Sequence, residues 1–246
     1  MSRKNRELNE IGCYHIIIRG NNKQTLFYDN SDFNFFIKRM NKYTNELNIE
    51  LYGYCLMQNH VHLLIGKANP NLSKLVLKLC TSYAMYFNHK YERTGHLFQG
   101  RFKSECINDE SYFKTVLRYI LKNPEKANIC KYCDYKWSNF KQILAQKSLL
   151  YKQLIITNFC TINSFLDFLE TNNNDKCMEY ENKIFLTDLK CFRLIKKLLK
   201  IEEPHQLVSY NLKDLQPKIR ILRNHGISVS QLSRITGLSK KIILSA

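Results

Sequence analysis

Two apolar segments on either side of Gln58 and Asn59 constrain the fold of this chain more than any other feature of its sequence. Residues 49–57 predict a strand, and residues 61–65 predict the body of a second strand that starts close to His60, so that Gln58 and Asn59 form the connection. Strands joined so closely form a hairpin with antiparallel pairing. A predicted amphipathic helix lies on each side of this hairpin, which indicates an α+β sandwich around an antiparallel sheet.

The rest of residues 10–125 continues this alternation of short apolar strands and amphipathic helices. The predicted segments are strand 14–18, a helix capped by Ser31 or Asp32, the two hairpin strands, a helix from Ser73 to about Tyr91, strand 102–107 and a helix from Asp109 to Asn123. β-Branched residues and flanking glycines favour the strands, while capping residues and a 3.6-residue apolar period favour the helices. After Trp137 the pattern predicts helices only, with a polar break at residues 171–175. We therefore divide the chain into a domain at residues 1–145 and an all-helical region at residues 146–246.

The chain is strongly basic. It has 38 Lys and Arg residues against 21 Asp and Glu residues, a formal charge of +17. Such an excess favours a polyanionic partner, of which nucleic acid is the foremost candidate, although general solubility is an alternative explanation. No apolar run approaches the ~18 residues of a membrane span, and the N-terminus lacks the apolar core of a signal peptide. We therefore expect a cytoplasmic protein with no membrane partner.

His60 and His62 lie at the start of the second hairpin strand. Because side chains alternate along a strand, both imidazoles are predicted on one face, while Val61, Leu63 and Ile65 point to the core. Two neutral imidazoles one strand step apart can share a divalent metal. A single His-x-His pair is weak evidence by itself, so exposed or hydrogen-bonded histidines are the alternative.

The helix predicted from Asp109 to Asn123 has an apolar stripe for packing on the sheet. Tyr112, Tyr119 and Asn123 cluster at one edge of this stripe, and the last two are one helical turn apart. A phenol and an amide at that edge could meet the histidine pair. The alternative is a tyrosine at the core boundary and an ordinary helix end before proline.

Together these segments resemble the HUH single-strand DNA transposases, and among them the REP-associated tyrosine transposases. The blocks that carry the resemblance are YCLMQNHVHLL at 54–64, GHLFQGRFKS at 95–104, Tyr112-Phe113, RYILKNP at 118–124 and YKWSNF at 135–140. They occur in the expected order over about residues 10–140. The resemblance implies a ferredoxin-like (RRM-like) sandwich with a central antiparallel sheet.

The same resemblance implies roles for four residues. Tyr119 matches the nucleophile, His60 and His62 match the metal ligands, and Asn123 matches a polar ligand one turn after the tyrosine. The implied cofactor is Mg²⁺ or Mn²⁺. The implied activity is that of a metal-dependent single-strand DNA endonuclease and strand transferase, which acts at DNA hairpins through a 5′-phosphotyrosine intermediate. Tyr112 is expected to line this site.

The expected partners are therefore single-stranded DNA and DNA hairpins, bound by a monomer or a homodimer in the bacterial cytoplasm, in association with the nucleoid. Basic residues near the predicted site are candidates for phosphate contacts: Lys74, Lys78, Arg101, Lys103 and Arg118. For any one of them a solvated surface position is the alternative. Phe98 and Phe102 are candidates for base stacking beside Arg101 and Lys103.

The C-terminal segment at residues 219–246 has the pattern of a helix-turn-helix. Ser233 is small where two helices would cross, Gly237 and Leu238 fit the turn, and Ser239 can cap the second helix. Residues 205–246 contain seven basic residues and one acidic residue, which favours DNA contact. A helical bundle without DNA contact is the alternative.

Three other functions compete with the transposase prediction. A non-catalytic DNA-binding regulator would use the helix-turn-helix and carry a decayed nuclease domain. A His-x-His metallohydrolase of small molecules is less compatible with the absence of a repeated βα pattern. A rolling-circle replication initiator would share the chemistry but fits the order of the motifs less well.

Overall fold

Four antiparallel strands form the centre of the first part of the chain. The computed structural model describes residues 12–171, 175, 177–179 and 188–245. The strands are β1 (Tyr14–Arg19), β2 (Glu50–Met57), β3 (His60–Gly66) and β4 (Lys103–Cys106). Their order in the sheet is β2-β3-β1-β4, and all three pairings are antiparallel. The predicted hairpin, its two-residue connection and the α+β sandwich class are confirmed.

Two helices cover one face of this sheet. Helix α1 (Asn30–Glu46) connects β1 to β2, and helix α2 (Leu72–Lys90) connects β3 to β4. With the strand order, these connections give the ferredoxin-like arrangement. The helices pack on alternate strand residues such as Ile16, Val61 and Leu63, which are buried in one apolar core.

The N-termini of these two helices differ by a few residues from the prediction. Asp29, not Ser31 or Asp32, is the N-cap of α1, because its carboxylate accepts hydrogen bonds from the backbone N–H groups of Ser31 and Asp32. Asp32 reciprocates as the third residue of this capping box. Helix α2 begins at Leu72, so the predicted cap Ser73 lies inside the helix.

Helix α3 (Glu110–Leu121) covers the opposite face of the sheet, and the predicted Asp109 is its N-cap. It approaches β2 so closely that a Cβ on Gly53 would lie 2.8 Å from Leu117 Cδ1, so a larger residue there would displace the end of the Leu117 side chain. The short helix α4 (Asn123–Lys126) follows at Pro124. Helices α5 (Phe140–Leu144), α6 (Leu149–Phe159) and α7 (Ile162–Glu170) complete the core on this face.

A second compact unit follows, and we describe it separately. The chain divides into Met1–Tyr180 and Glu181–Ala246. The second unit contains α8 (Asp188–Leu199), a 3₁₀ segment (Pro204–Ser209), α9 (Leu212–Asn224), α10 (Val229–Thr236) and α11 (Lys240–Leu244). After β4 the described residues contain helices and no strand, as predicted. Of the predicted polar break at residues 171–175, positions 172–174 lie outside the described residues.

The C-terminal helices contain the local features that the helix-turn-helix pattern requires. Gly237 ends α10 in the left-handed conformation, with φ of 80°, and Leu238 is buried behind it. The Ser239 side chain caps α11, and Ser233 Oγ donates a hydrogen bond to the Leu238 carbonyl at 2.9 Å. In the described residues no helix is both long and apolar enough to cross a membrane.

The predicted division between functional regions lies after residue 145 and stays a prediction. The boundary between the two compact units lies further along the chain, after Tyr180. Helices α6 and α7 place six buried side chains in the core beneath α3: Tyr151, Leu154, Ile155, Phe159, Phe165 and Leu169. Burial of one such side chain contributes roughly 2 kcal/mol. The six together therefore match the stability of a typical domain, about 5–15 kcal/mol.

We predict that a chain ending after Tyr180 unfolds in one cooperative transition, whereas a chain ending after Ala145 does not fold stably. The shorter chain exposes the surface of α3 and β2 that α6 and α7 cover. Urea titration monitored by circular dichroism measures the unfolding transition of both chains. An equally cooperative transition at the same urea concentration for both chains would show that α6 and α7 are dispensable for this core.

Candidate active site

A row of polar side chains crosses the sheet on the face that α3 covers. In the register of the sheet, His15 lies opposite Glu105 of β4 and Leu64 of β3, while His62 lies opposite Ile17. Directly paired residues, and residues two apart on one strand, share a face. The sheet therefore presents His62, His15 and Glu105 side by side towards α3.

His60 and His62 occupy the strand face that the sequence predicts. Val61, Leu63 and Ile65 point into the core on the other face. His60 is half-buried, with its Nδ1 2.7 Å from Asn59 Oδ1. His62 is fully buried, with its Nδ1 3.0 Å from His15 Nε2. The centroids of the two imidazole rings are 4.9 Å apart.

Both imidazoles are neutral at pH 7. Burial, and then the nearby Arg19, lower the pKa of His60 to about 4, against the opposite effect of Glu179. Burial also holds the pKa of His62 well below its usual range, and the surrounding His60, His15 and Lys126 act in the same direction. Neutral imidazole is the form that binds a metal ion.

Tyr119 of α3 lies over this row. Its ring centroid is 5.7 Å from that of His62 and 6.0 Å from that of His15. The phenol is only 2% exposed and donates a hydrogen bond to Glu179 Oε1. Burial, and then the Glu179 carboxylate, raise the pKa of Tyr119 far above its ordinary value. Lys126 Nζ lies 4.1 Å from the ring centroid on the solvent side.

Asn123 is buried at the junction of α3 and α4, one turn after Tyr119. Its Nδ2 donates a hydrogen bond to the Tyr119 backbone carbonyl at 3.0 Å. Tyr112 faces the other end of the polar row, where its hydroxyl interacts with the Glu105 carboxylate. The edge of α3 therefore meets the histidine face of the sheet, as the spacing along the helix predicts.

The donors at this site fit a divalent metal. Each imidazole uses Nδ1 in a hydrogen bond within the protein, which is the usual arrangement when the second ring nitrogen binds a metal. Among the described residues no three His, Cys, Asp or Glu side chains form a metal-binding group. Further ligands would therefore come from other donors, such as an amide oxygen, water or a phosphate.

The basic candidates occupy different parts of the first unit. Lys74 and Lys78 lie on α2, on the sheet face opposite Tyr119, and Lys78 forms an ion pair with Glu46. Arg101 is exposed in the loop before β4. Lys103 of β4 is near the site, since its Nζ donates a hydrogen bond to the Glu179 carbonyl at 3.0 Å. Phe98 and Phe102, the stacking candidates, pack partly against the core of the α1 and α2 face.

Arg118 is not the exposed phosphate contact that its position in the sequence suggests. Its guanidinium is 8% exposed and makes two hydrogen bonds to the Asp175 carboxylate, at 2.7 and 2.8 Å. It also donates to the Phe168 carbonyl at 3.0 Å and lies over the Phe168 ring. The partner is 57 residues away in the chain, so the pairing could not be read from the sequence.

Sequence reasoning missed four residues of the site: His15, Glu105, Lys126 and Glu179. A histidine within the apolar strand YHIIIR was the available signal for His15. Helix α1 and strand β2 separate β1 from β3 in the sequence, so only the strand order of the sheet brings His15 close to His62. Glu179 approaches from outside the predicted domain, and no local pattern marks it.

We predict that Arg118→Met destabilises the first unit by about 3 kcal/mol, because it leaves the Asp175 carboxylate buried without its partner. Lys114→Met, one turn earlier on α3, is the matched control. Its pair with Glu110 is half-exposed and contributes about 0.5 kcal/mol or less. Urea unfolding of both variants measures the difference. Unchanged stability of Arg118→Met would restore Arg118 as a candidate for DNA contact.

Comparison with known proteins shows which family the residues of this site resemble. Residues 12–123 match the model of the family described as "Transposase IS200 like". The matched range contains His15, His60, His62 and Glu105, as well as Tyr119, and it ends at Asn123. We found no match among curated proteins.

One of two similar solved structures supports the fold. A REP-associated tyrosine transposase bound to a REP hairpin aligns with a TM-score of 0.51 and 17% identity, over 60% of this chain and 87% of that chain. A putative transposase from Deinococcus radiodurans R1 aligns with a TM-score of 0.35 and 16% identity, over 45% of this chain and 90% of that chain. At 17% identity, the first similarity shows the fold alone. Residues 12–123 of this chain are therefore similar to the IS200-like transposases, and the fold of the chain agrees with that similarity.

Proposed function

We propose that this protein is a metal-dependent single-strand DNA endonuclease and strand transferase that acts at DNA hairpins, with Tyr119 as its nucleophile. The match of residues 12–123 to a transposase family supports an enzyme that acts on DNA. The observation that carries the proposal is the position of the Tyr119 ring beside His62, with 5.7 Å between ring centroids, while the His60 ring lies 4.9 Å from that of His62. A nucleophile and two candidate metal ligands therefore share one site.

His60 and His62 would hold a divalent ion through Nε2, and Asn123 is the candidate for a third, oxygen ligand. Mg²⁺ or Mn²⁺ suits an amide oxygen and a phosphate, and the imidazoles favour Mn²⁺ of the two. When bound, such an ion supplies charge stabilisation to the phosphate oxygens. The two strand-borne imidazoles fix the position of that charge relative to Tyr119, because both lie on the rigid sheet.

Tyr119 would attack the phosphorus with its hydroxyl oxygen. As the new bond forms, the phenol proton passes to water and the bond from phosphorus to the 3′ oxygen breaks. The released 3′ oxygen takes up a proton from water, which leaves a 5′-phosphotyrosine and a free 3′-hydroxyl. Attack by a 3′-hydroxyl reverses the step and joins strands. A buried phenol beside a carboxylate is not ionised beforehand, so Glu179 must withdraw from the hydroxyl before the phosphate approaches. Lys126 then remains as the nearby cation that favours the phenolate.

A small cavity next to Tyr119 supports binding of a DNA phosphate beside the nucleophile. It measures about 180 Å³, and its wall contains the ion pairs Arg118–Asp175 and Lys122–Glu125 together with Lys126. Arg101 and Lys103 are the other candidates for phosphate contacts, near β4. The hairpin as substrate rests on the relative whose structure contains a REP hairpin, and the helix-turn at α10 and α11 is a second candidate DNA contact.

We predict that Tyr119→Phe abolishes the covalent protein–DNA adduct while hairpin affinity stays within a few-fold of wild type. The substitution removes the attacking oxygen and retains the ring that packs over the histidines. The assay is incubation of a labelled DNA hairpin with Mn²⁺, followed by denaturing electrophoresis. Tyr43→Phe, on α1 at the other face of the sheet, is the matched control and should form the adduct normally.

Other outcomes of that assay separate the alternatives. An adduct that survives in Tyr119→Phe would place the nucleophile elsewhere, with Tyr112 the first tyrosine to test. Tight hairpin binding by the wild-type protein with no adduct under any metal would favour a DNA-binding regulator with a decayed nuclease domain.

We predict that His60→Ala and His62→Ala each weaken Mn²⁺ binding at least tenfold and stop adduct formation, because each removes one of two imidazole ligands. His62→Ala should also lower stability, since this side chain is buried and hydrogen-bonded, whereas His60→Ala should affect stability less. Electron paramagnetic resonance of free Mn²⁺ measures binding. Normal cleavage with Mg²⁺ or Mn²⁺ in either variant would exclude the metal assignment.

A further inference from the structure

We propose that His15 and Glu105 are positioning residues that fix His62 in the tautomer with its proton on Nδ1 and its lone pair on Nε2. The inference deepens the proposed function and rests on it, since that function needs a free Nε2 on His62. The hydrogen bond that joins His15 to the metal-ligand pair is made with His62, and His15 meets Tyr119 only through an edge contact between the rings. The proposed effect on the metal site therefore passes through His62.

The contact between the two histidines leaves only two arrangements of protons. His15 Nε2 and His62 Nδ1 are 3.0 Å apart, so one nitrogen carries the proton and the other accepts it. If His62 donates, its Nε2 keeps a lone pair. If His15 donates instead, the proton of His62 sits on Nε2, and that nitrogen can no longer bind a metal.

Glu105 selects between these arrangements. Its Oε2 lies 3.7 Å from His15 Nδ1, which is buried and has no hydrogen-bond partner within normal distance among the described residues. A proton on His15 Nδ1 faces the carboxylate favourably, whereas a lone pair there faces a negative charge. With its proton on Nδ1, neutral His15 must accept at Nε2, so His62 must donate from Nδ1.

The surroundings hold Glu105 as a carboxylate in this place. The backbone N–H of Met178 lies 3.4 Å from its Oε2, and the Tyr112 hydroxyl interacts with the same group. Register places Glu105 directly opposite His15, so β1 and β4 align the two without a flexible linker. The order is thus Glu105, His15, His62, with each member on a different strand.

His60 reaches the same tautomer by a separate, local route. Its Nδ1 lies 2.7 Å from Asn59 Oδ1, and the amide nitrogen of Asn59 faces the Lys23 carbonyl at 3.4 Å. That orientation of the Asn59 amide makes its Oδ1 the acceptor, so His60 donates the proton on Nδ1. The lone pair of neutral His60 is then on Nε2. Both candidate ligands therefore offer the same ring nitrogen, and the buried one depends on His15 and Glu105.

The test reads the tautomer and the metal affinity of the full chain separately. Long-range ¹H–¹⁵N correlation of the ¹⁵N-labelled, metal-free protein distinguishes protonated from unprotonated ring nitrogens, and His62→Ala assigns the His62 signals. We expect Nδ1–H at His62 in the wild type. His15→Leu should populate the Nε2–H form and weaken Mn²⁺ binding about tenfold or more.

Two further variants separate positioning from packing. His15→Gln retains an acceptor oxygen where Nε2 stood, so it should keep the tautomer and hold Mn²⁺ affinity within about threefold of wild type. Glu105→Gln keeps the shape of the side chain without its charge, and it should shift His62 partly to the Nε2–H form. This variant tests the proposal independently of whether His15→Leu folds. His89→Leu, at an exposed histidine of α2, is the matched control and should change neither readout.

The outcomes distinguish this inference from the proposed function. A wild-type His62 in the Nε2–H form, or an unchanged tautomer in both His15→Leu and Glu105→Gln, would overturn the positioning role. An unchanged tautomer in Glu105→Gln would also overturn it if His15→Leu does not fold. A wild-type protein that binds no Mn²⁺ would overturn the metal site, while the metal-free spectra would still decide the roles of His15 and Glu105.

Discussion

The antiparallel register of β1 between β3 and β4 is the constraint on which the candidate site depends. It places His15 beside Glu105 on one side, and on the other side it places His15 diagonally from His62. A shift of one residue would turn every side chain of a strand to the opposite face. His15 would then enter the core beneath α1 and α2, and apolar residues of β1 such as Ile16 would face Tyr119.

The two faces of the sheet therefore bury different kinds of side chain. Towards α1 and α2 the strands bury apolar residues such as Ile16 and Leu63, and packing alone accounts for that layer. Towards α3 they also bury imidazoles, which costs free energy unless the ring nitrogens are hydrogen-bonded. The His15–His62 contact meets this need for one nitrogen of each ring. Buried polar groups that satisfy one another in this way have few alternative arrangements, which suits a site that must hold a fixed geometry.

The electrostatics around Tyr119 are balanced between a carboxylate and cations. Glu179 accepts the hydrogen bond of the phenol and keeps it protonated, while Lys126 lies over the ring from the solvent side. A DNA phosphate carries the same sign of charge as Glu179, so the two compete for the same place beside the phenol. Binding of the proposed substrate would therefore also remove the group that most disfavours the phenolate after burial itself.

The sequence by itself determined the local elements and the residues that share a face. Period 2 in HVHLLI placed both histidines opposite Val61, Leu63 and Ile65, and the capping residue Asp109 with a 3.6-residue period placed Tyr119 and Asn123 on one edge of α3. These features depend on neighbours within about one turn or one strand, so the pattern of the chain expresses them directly. The ordered motif blocks then indicated the family.

Only the tertiary structure decided which distant residues meet. The partnership of His15 with His62, the pairing of Arg118 with Asp175 and the position of Lys74 and Lys78 behind the sheet all depend on strand order and helix packing. Contacts across 47 or 57 residues leave no periodic trace in a single sequence. For the same reason Arg118 looked like an exposed cation, and the inclusion of α6 and α7 in the core under α3 became visible only in the fold.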